Sequence, residues 1–370
     1  MKTQTSKPSF KSPRYRFLMT GLISVLILLL ASGCATQAPV EDTQKAEIEQ
    51  QMVWPAPPEQ ARIRYVGELS SLENLAGKEQ KSLRDILMGE EDKEERSTLH
   101  SPYGVHSDSN GRVFVADTSF AGLIVFDLEK KNVSFWGVAG YGALTKPVGV
   151  TSDAKGNVYV SDTIDQRIVV FDTDGNYINA FGGGDILTNP AGMVFNDETQ
   201  QLYVVDAHKH QINVFNTKGG VDFVIGKRGA QPGEFNFPTN IASDGNGRLY
   251  VSDSMNFRIQ VLEADGTVVN TFGEIGDRPG DFNRLKGVGV DKEGHIYAVD
   301  ASYNNFQIFD DEGQLLLIVG QPGNAGPAAF YMPAGVHVDK NNQIFIADQL
   351  NHKIQMFEYI GEPDLSETDR

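Results

Sequence analysis

The sequence has almost no cysteine: Cys34 is the only one among 370 residues. That excludes an internal disulfide framework and any zinc site built from several thiolates. Positive charge is scarce too, with 32 Lys and Arg against 49 Asp and Glu and a formal net charge of -17 at pH 7. A surface so acidic repels phosphate backbones, so no nucleic-acid partner is expected. Long apolar runs are missing beyond residues 17–31, FLMTGLISVLILLLA, which fall short of the roughly 20 residues of a comfortable membrane span. What the chain has in quantity is turn chemistry. Its 38 Gly and 16 Pro, beside a hydrophobic fraction of 40%, point to an all-β body with many tight turns and a sizeable core.

The apolar run follows a basic, acid-free segment (Lys2, Lys7, Lys11, Arg14, Arg16) and precedes small residues and the single cysteine, ASGCA. This is the layout of a secretory signal, and it resembles the bacterial lipobox. The resemblance implies cleavage before Cys34, lipidation of that residue and attachment to a membrane. Ala35 after the cysteine implies delivery to the outer membrane. Residues 1–33 are therefore expected to be the signal peptide. Residues 34–60, rich in Gln, Glu, Ala and Pro without clear periodicity, read as a flexible tether.

From residue 101 onward one phrase recurs six times. RVFVAD, NVYVSD, QLYVVD, RLYVSD, HIYAVD and QIFIAD end at Asp117, Asp162, Asp206, Asp253, Asp300 and Asp348, at intervals of 44 to 48 residues. Upstream of each stands a second phrase of the form Pro-x-Gly-Val, as at Pro102, Pro147 and Pro333, with LKGV at Leu285 and PTNI at Pro238 as variants. Units of this length that hold several short alternating strands predict four-stranded blades of a six-bladed β-propeller. In each blade Pro-x-Gly-Val starts inner strand a, the Asp phrase is strand b, and two further alternations give strands c and d. The repeated Asp residues fall at turns, where a carboxylate satisfies backbone amides, so a structural role is expected for them.

The sixth unit lacks a fourth strand before the acidic tail, residues 362–370. ARIRYVGEL, residues 61–69, alternates correctly and stands before the first blade. It is expected to pair with the last blade and shut the ring, which removes two sheet edges. In the stretch between them, residues 70–100, Leu83, Ile86 and Leu87 share one helical face and predict a short helical insertion. The propeller thus spans residues 61–361, with the repeats in 101–361.

The corner sequences DSMNFRI (from Asp253) and DQLNHKI (from Asp348) give Asp-x-x-Asn-x-[Arg/Lys]-Ile, which resembles the NHL repeat. With its lipobox, tether and closing strand the whole chain is similar to bacterial NHL-repeat lipoproteins, a resemblance that implies a fold more firmly than a function. Enzymes exist on this fold. An amidating lyase, as the resemblance implies, places zinc-binding His close after the strand-a proline in alternate blades. Tyr103, Val148, Ala191, Thr239, Lys286 and Ala334 stand there in this chain, so that chemistry is not expected. His106 and His337 occupy matching strand-a positions of neighbouring blades, and packing is the expectation. His208 and His210 lack a third ligand. No metal, cofactor or catalytic residue is assigned, and the chain reads as a binding protein rather than an enzyme. The alternative is a metal-dependent lyase or lactone hydrolase with its site in the central channel.

Strand direction places the b-to-c corners and d-to-a loops on one face of the disc. Apolar, aromatic and basic residues in those connections (Phe120, Trp136, His208, His210, Arg228, Met255, Tyr303 and Leu350) are the candidate contact residues for a protein or polysaccharide partner.

Overall fold

The computed structural model describes residues 52–72, 75, 98–244 and 246–361. Six antiparallel sheets account for the body. Blade one is Pro102–Ser107, Arg112–Asp117, Gly122–Asp127 and Asn132–Trp136, and blades two to five repeat this order. The sixth sheet is built from both ends of the chain: Pro333–Val338, Gln343–Asp348 and Lys353–Tyr359, then Ile63–Leu69 as the fourth strand. The chain is a six-bladed propeller whose ring is closed by an N-terminal strand.

The strand-b segments are buried at nearly every position, because each lies inside a blade that is covered on both faces. The outer strands are mostly exposed or half-buried instead. Six apolar clusters fill the spaces around the ring. One joins Tyr297, Val299 and Phe306 of blade five to Ile344 and Phe357 of blade six; another joins Phe345 and Ile354 of blade six to Val113, Val115 and Phe126 of blade one.

The closing strand serves both clusters. Ile63 and Tyr65 enter the first, where the Tyr65 ring meets Phe357 edge-on at 5.4 Å. Leu69 enters the second. By simple alternation residues 63, 65 and 69 would share a face, but a bulge between Tyr65 and Gly67 shifts the register against Lys353–Tyr359 and turns Leu69 to the other side. One seven-residue strand thereby packs against blades five and one at once.

The structured body begins earlier than residue 61. Val53–Trp54 forms a fifth strand on blade six, and Trp54 packs edge-on against Phe357 at 5.9 Å. The last residues assigned to the tether are thus part of the propeller. The signal segment with Cys34, most of the 70–100 insertion with its expected helix, and the acidic tail lie outside the described residues.

The Pro-x-Gly-Val phrase has a steric cause. A Cβ on Gly104 would stand 2.2 Å from the Val148 carbonyl oxygen, one on Gly149 2.3 Å from that of Ala191, and one on Gly335 2.4 Å from that of Tyr103. Inner strands converge on the axis so closely that only glycine fits beside its neighbour. In blade four Asn240 takes this place, and the Cβ missing from Gly192 leaves the room it needs.

The Asp that ends strand b fixes each corner. All six are fully buried. Asp117 accepts the backbone amides of His100, Ser101, Ser119 and Phe120, and Asp300 those of Asn283, Arg284, Ser302 and Tyr303. Each carboxylate thereby ties its own corner to the loop that leads into strand a. Four residues after the Asp, Ala121, Gln166, His210, Phe257, Asn304 and His352 all adopt a positive φ between 53° and 56°. Blades one, three and five have lost the consensus side chains yet keep the same backbone corner.

Candidate functional site

Two places on this frame deserve comparison: the axial channel and the face formed by the corners and d-to-a loops. The channel is lined by the inner strands. Towards the a-to-b turns it holds a cavity of about 260 Å³ bordered by His106, His337, Ser152, Asn240 and Ser243. The His106 and His337 rings lie 4.5 Å apart, and His106 Nε2 is 2.8 Å from Ser152 Oγ. Protein surrounds both rings, although each keeps some surface on the channel. Burial drives the His106 pKa well below its ordinary value, with the neighbouring His337 adding to the effect. Burial likewise pushes His337 down to about 4, against the opposing pull of Asp339 and a backbone bond to Ser107. Both are neutral imidazoles at pH 7.

A folded-state pKa below the unfolded value of about 6.5 means that, between the two, the unfolded chain binds more protons. His337 therefore costs stability as pH falls from about 6.5 towards 4, at up to roughly 1.4 kcal/mol per pH unit. Elsewhere His295 acts with the opposite sign, because its bond to Asp291 raises its pKa; the stability it contributes is present below about 6.5 and lost at higher pH. The difference between the wild type and His337→Gln isolates the channel histidine. Urea unfolding at pH 7 and pH 5 is expected to show a smaller acid loss in the variant.

Among the described residues, three potential metal ligands converge at Asp291, Glu293 and His295. This is a hairpin turn rather than the channel. Asp291 accepts the Glu293 and His295 amides, the Tyr297 hydroxyl and His295 Nδ1, and the His295 ring packs on Tyr359 of the next blade at 4.8 Å. Its bonds are those of a turn.

At the corner end the channel opens into a cup of about 340 Å³. Tyr103, Thr239 and Lys286 line it from the start of strand a, with Lys146 and Asn189 from the loops that lead there. The corners and loops around it carry a set of exposed apolar residues, as do the outer strands with Phe135, Ile178 and Val224. Ile164 is 59% exposed, Met255 53% and Leu350 42%, all at b-to-c corners; Val138, Phe237, Ile275 and Tyr331 are exposed in the d-to-a loops. Backbone bonds set Met255 beside Asn236 and Leu350 beside Tyr331. The turns of the opposite face are filled by Asp and Asn that accept their own amides, as at Asp108, Asp153, Asn196 and Asp339. Among the described residues of those turns, Ile360 is the one exposed large apolar side chain.

The residues singled out from sequence are spread over several settings. Met255 and Leu350 stand free on the face, and Arg228 and His208 are exposed there. Phe120 is half-buried between the His100 and Phe135 rings, and the half-buried Tyr303 donates its hydroxyl to the Gly276 carbonyl. Trp136 is 8% exposed and packs against Phe114 and Phe171, above Gly175 of blade two; it belongs to the space between blades. His210 is 6% exposed, and its Nδ1 accepts the Phe237 amide, which removes that nitrogen as a metal ligand. Burial lowers its pKa, with Arg228 and His208 contributing. The alternating histidines clamp Phe237, whose ring lies 6.0 Å from His208 and 4.5 Å from His210. Phe237, Val138, Ile275, Lys146 and Asn189 carry no periodic signal and are evident only in the assembled ring.

Comparison with known proteins agrees with this architecture. The sequence profile of the NHL repeat matches residues 235–262, which cover strands a to c of blade four and the corner at Asp253. Blade four is an NHL repeat. No curated protein matches the chain. Among solved structures the propeller is similar to virginiamycin B lyase from Staphylococcus aureus, at 14% identity and a TM-score of 0.53 over 70% of this chain and 95% of that one. It is also similar to a gluconolactonase from Xanthomonas campestris (17%, TM-score 0.53, 70% and 86%). An auxiliary nutrient binding protein from Bacteroides thetaiotaomicron gives 13% identity and a TM-score of 0.56 over 71% and 70%. At such identities the shared property is the fold.

Proposed function

We propose that the chain is a lipid-anchored envelope protein, held at Cys34, whose propeller presents its corner face to a protein or surface polysaccharide. The neighbours place both binding proteins and enzymes on this fold, so the residues of this chain have to decide between them. The observation that supports binding is the asymmetry of the disc. Eight large apolar side chains of the corners and d-to-a loops, Val138, Tyr141, Ile164, Phe237, Met255, Ile275, Tyr331 and Leu350, stay exposed, whereas Asp and Asn turns cover the other face. Apolar side chains gathered on one surface gain free energy when a partner removes them from water. The lyase or lactonase alternative asks for a ligand set in the channel; the cavity offers His106, His337 and Asp197, which among the described residues do not converge closely enough to hold one ion together.

Serine at Ile164, Met255, Ile275 and Leu350 together is expected to weaken partner binding by about a hundredfold or more, since exposed apolar anchors carry most of an interface's energy. All four side chains lie outside the core, so the thermal midpoint is expected to stay close to that of the wild type. Quantitative cross-linking capture from envelope extract, wild type against variant, reads the result. An unchanged set of captured molecules would contradict the reading.

A further inference from the structure

The cup at the centre of the corner face has a chemistry of its own. Acids outnumber bases 49 to 32 in the whole chain, yet the two charged side chains lining the cup are both lysines, Lys146 and Lys286. They come from blades two and five, on opposite sides of the ring. Arg284 stands just before Lys286 in the loop leading into strand a, and its guanidinium approaches only Met332 Sδ, at 3.9 Å. Among the described residues none of the three pairs with a carboxylate.

The reason lies in the corners. The acids that end strand b, Asp117, Asp162, Asp206, Asp253, Asp300 and Asp348, are fully buried and occupied with the amides of the lead-in loops. Where they pair with a base it belongs to their own corner, Arg167 for Asp162 and Arg258 for Asp253.

Lys286 is half-buried, and its contacts are neutral: Nζ lies 3.1 Å from the Tyr103 hydroxyl and 5.4 Å from the centre of that ring. An ammonium partly withdrawn from water without a counter-ion is unfavourable unless a ligand supplies the charge. The rest of the lining is the apolar Val148, Ala191 and Ala207 together with Thr118, Thr163 and Thr239, whose hydroxyls donate to the Ser101, Pro190 and Lys286 carbonyls and keep oxygen lone pairs to accept a ligand hydroxyl, and the side-chain amides of Gln349 and the half-buried Asn189. At about 340 Å³ the cup sits at the low end of small-molecule sites, which run from about 300 to 1,000 Å³. That is room for one compact ligand and too little for a folded segment.

We propose that this cup binds a small organic anion, its carboxylate or phosphate group held between Lys146 and Lys286 and its hydroxyls against the threonine and amide side chains. The site is separate from the apolar rim and does not depend on the docking role proposed above.

The test is calorimetric titration of the full chain in neutral detergent with glucuronate, inorganic phosphate and glucose. Both anions are expected to bind with dissociation constants of about 1 mM or tighter, and to weaken as salt is raised; neutral glucose is expected not to bind. Lys286→Met is expected to weaken the anions about tenfold or more, because a charge-assisted contact is lost, whereas Lys286→Arg keeps binding and both variants keep the wild-type thermal midpoint. The four-serine rim variant is expected to bind the anions as the wild type does, which separates failure of this site from failure of the docking face. The proposal is overturned if neither anion binds, if glucose binds as well as glucuronate, or if a Lys146→Met, Lys286→Met double variant retains wild-type affinity.

Discussion

Deleting residues 52–69 is expected to leave no soluble, monomeric propeller. The deletion removes Ile63, Tyr65 and Leu69 from two different inter-blade clusters and takes Trp54 off Phe357. It also exposes the edge of Lys353–Tyr359, a strand that contributes Ile354, Phe357 and Tyr359 to the core. An unpaired, apolar strand edge invites association with other chains. Blades six and one would then meet mainly through their inner strands, as at Gly335 against Tyr103 and His106 against His337, and a single blade covers its faces only against its neighbours. A milder version is Tyr65→Ala, which is expected to cost about 3–5 kcal/mol, the range for removing a buried aromatic ring. Size-exclusion chromatography and urea unfolding report both results. A deletion variant that elutes as a monomer with an unchanged unfolding midpoint would show that blade six stands without its fourth strand.

The second large effect is expected from Asp117→Ala. The carboxylate is fully buried and accepts four backbone amides, from His100, Ser101, Ser119 and Phe120. Alanine leaves those donors without their acceptor and frees the corner from the lead-in loop. Hydrogen bonds to a charged group contribute about 1.5–3 kcal/mol each, and water can recover some of them at a corner, so a net loss of about 3–5 kcal/mol is expected. Asp117→Asn keeps one acceptor oxygen and is expected to lose less. A change below about 0.5 kcal/mol in urea unfolding, typical of an ordinary surface substitution, would remove the corner Asp from its structural role.

These two predictions rest on features the sequence carries openly. The strand-b Asp and the Pro-x-Gly-Val phrase recur because each blade meets the same local demands, an anchored corner and an inner strand that passes its neighbour without a Cβ. The closing strand is legible from its alternation and from the missing fourth strand of the last unit. Its bulge and the extra strand at Val53–Trp54 are not, since Trp54 finds its partner, Phe357, about three hundred residues away behind a Pro-rich stretch that looks like a tether.

The site is less legible, for a related reason. Whether an aromatic residue in a loop points outward depends on the neighbouring blade. Trp136 turns inward because Gly175 of blade two leaves a hollow for it, and His210 is occupied because the Phe237 amide reaches its Nδ1. Met255 and Leu350, at the tips of 3-10 turns where nothing from the adjacent blade covers them, are exposed as expected. Lys146 and Lys286 share no motif; they belong to blades on opposite sides of the ring and line one cup only once it is assembled.

On the proposed reading the protein meets its partner through the corner face. The direct measurement is site-specific photo-crosslinking in living cells, with a benzophenone side chain placed at Ile164, Met255 or Leu350 and, as the comparison, at Lys130, Asp174 or Asp265 in the hairpins of the other face. Discrete adducts from the first three positions and none from the second three are the predicted result. Adducts confined to the Lys130, Asp174 and Asp265 positions, or absent from all six, would contradict it.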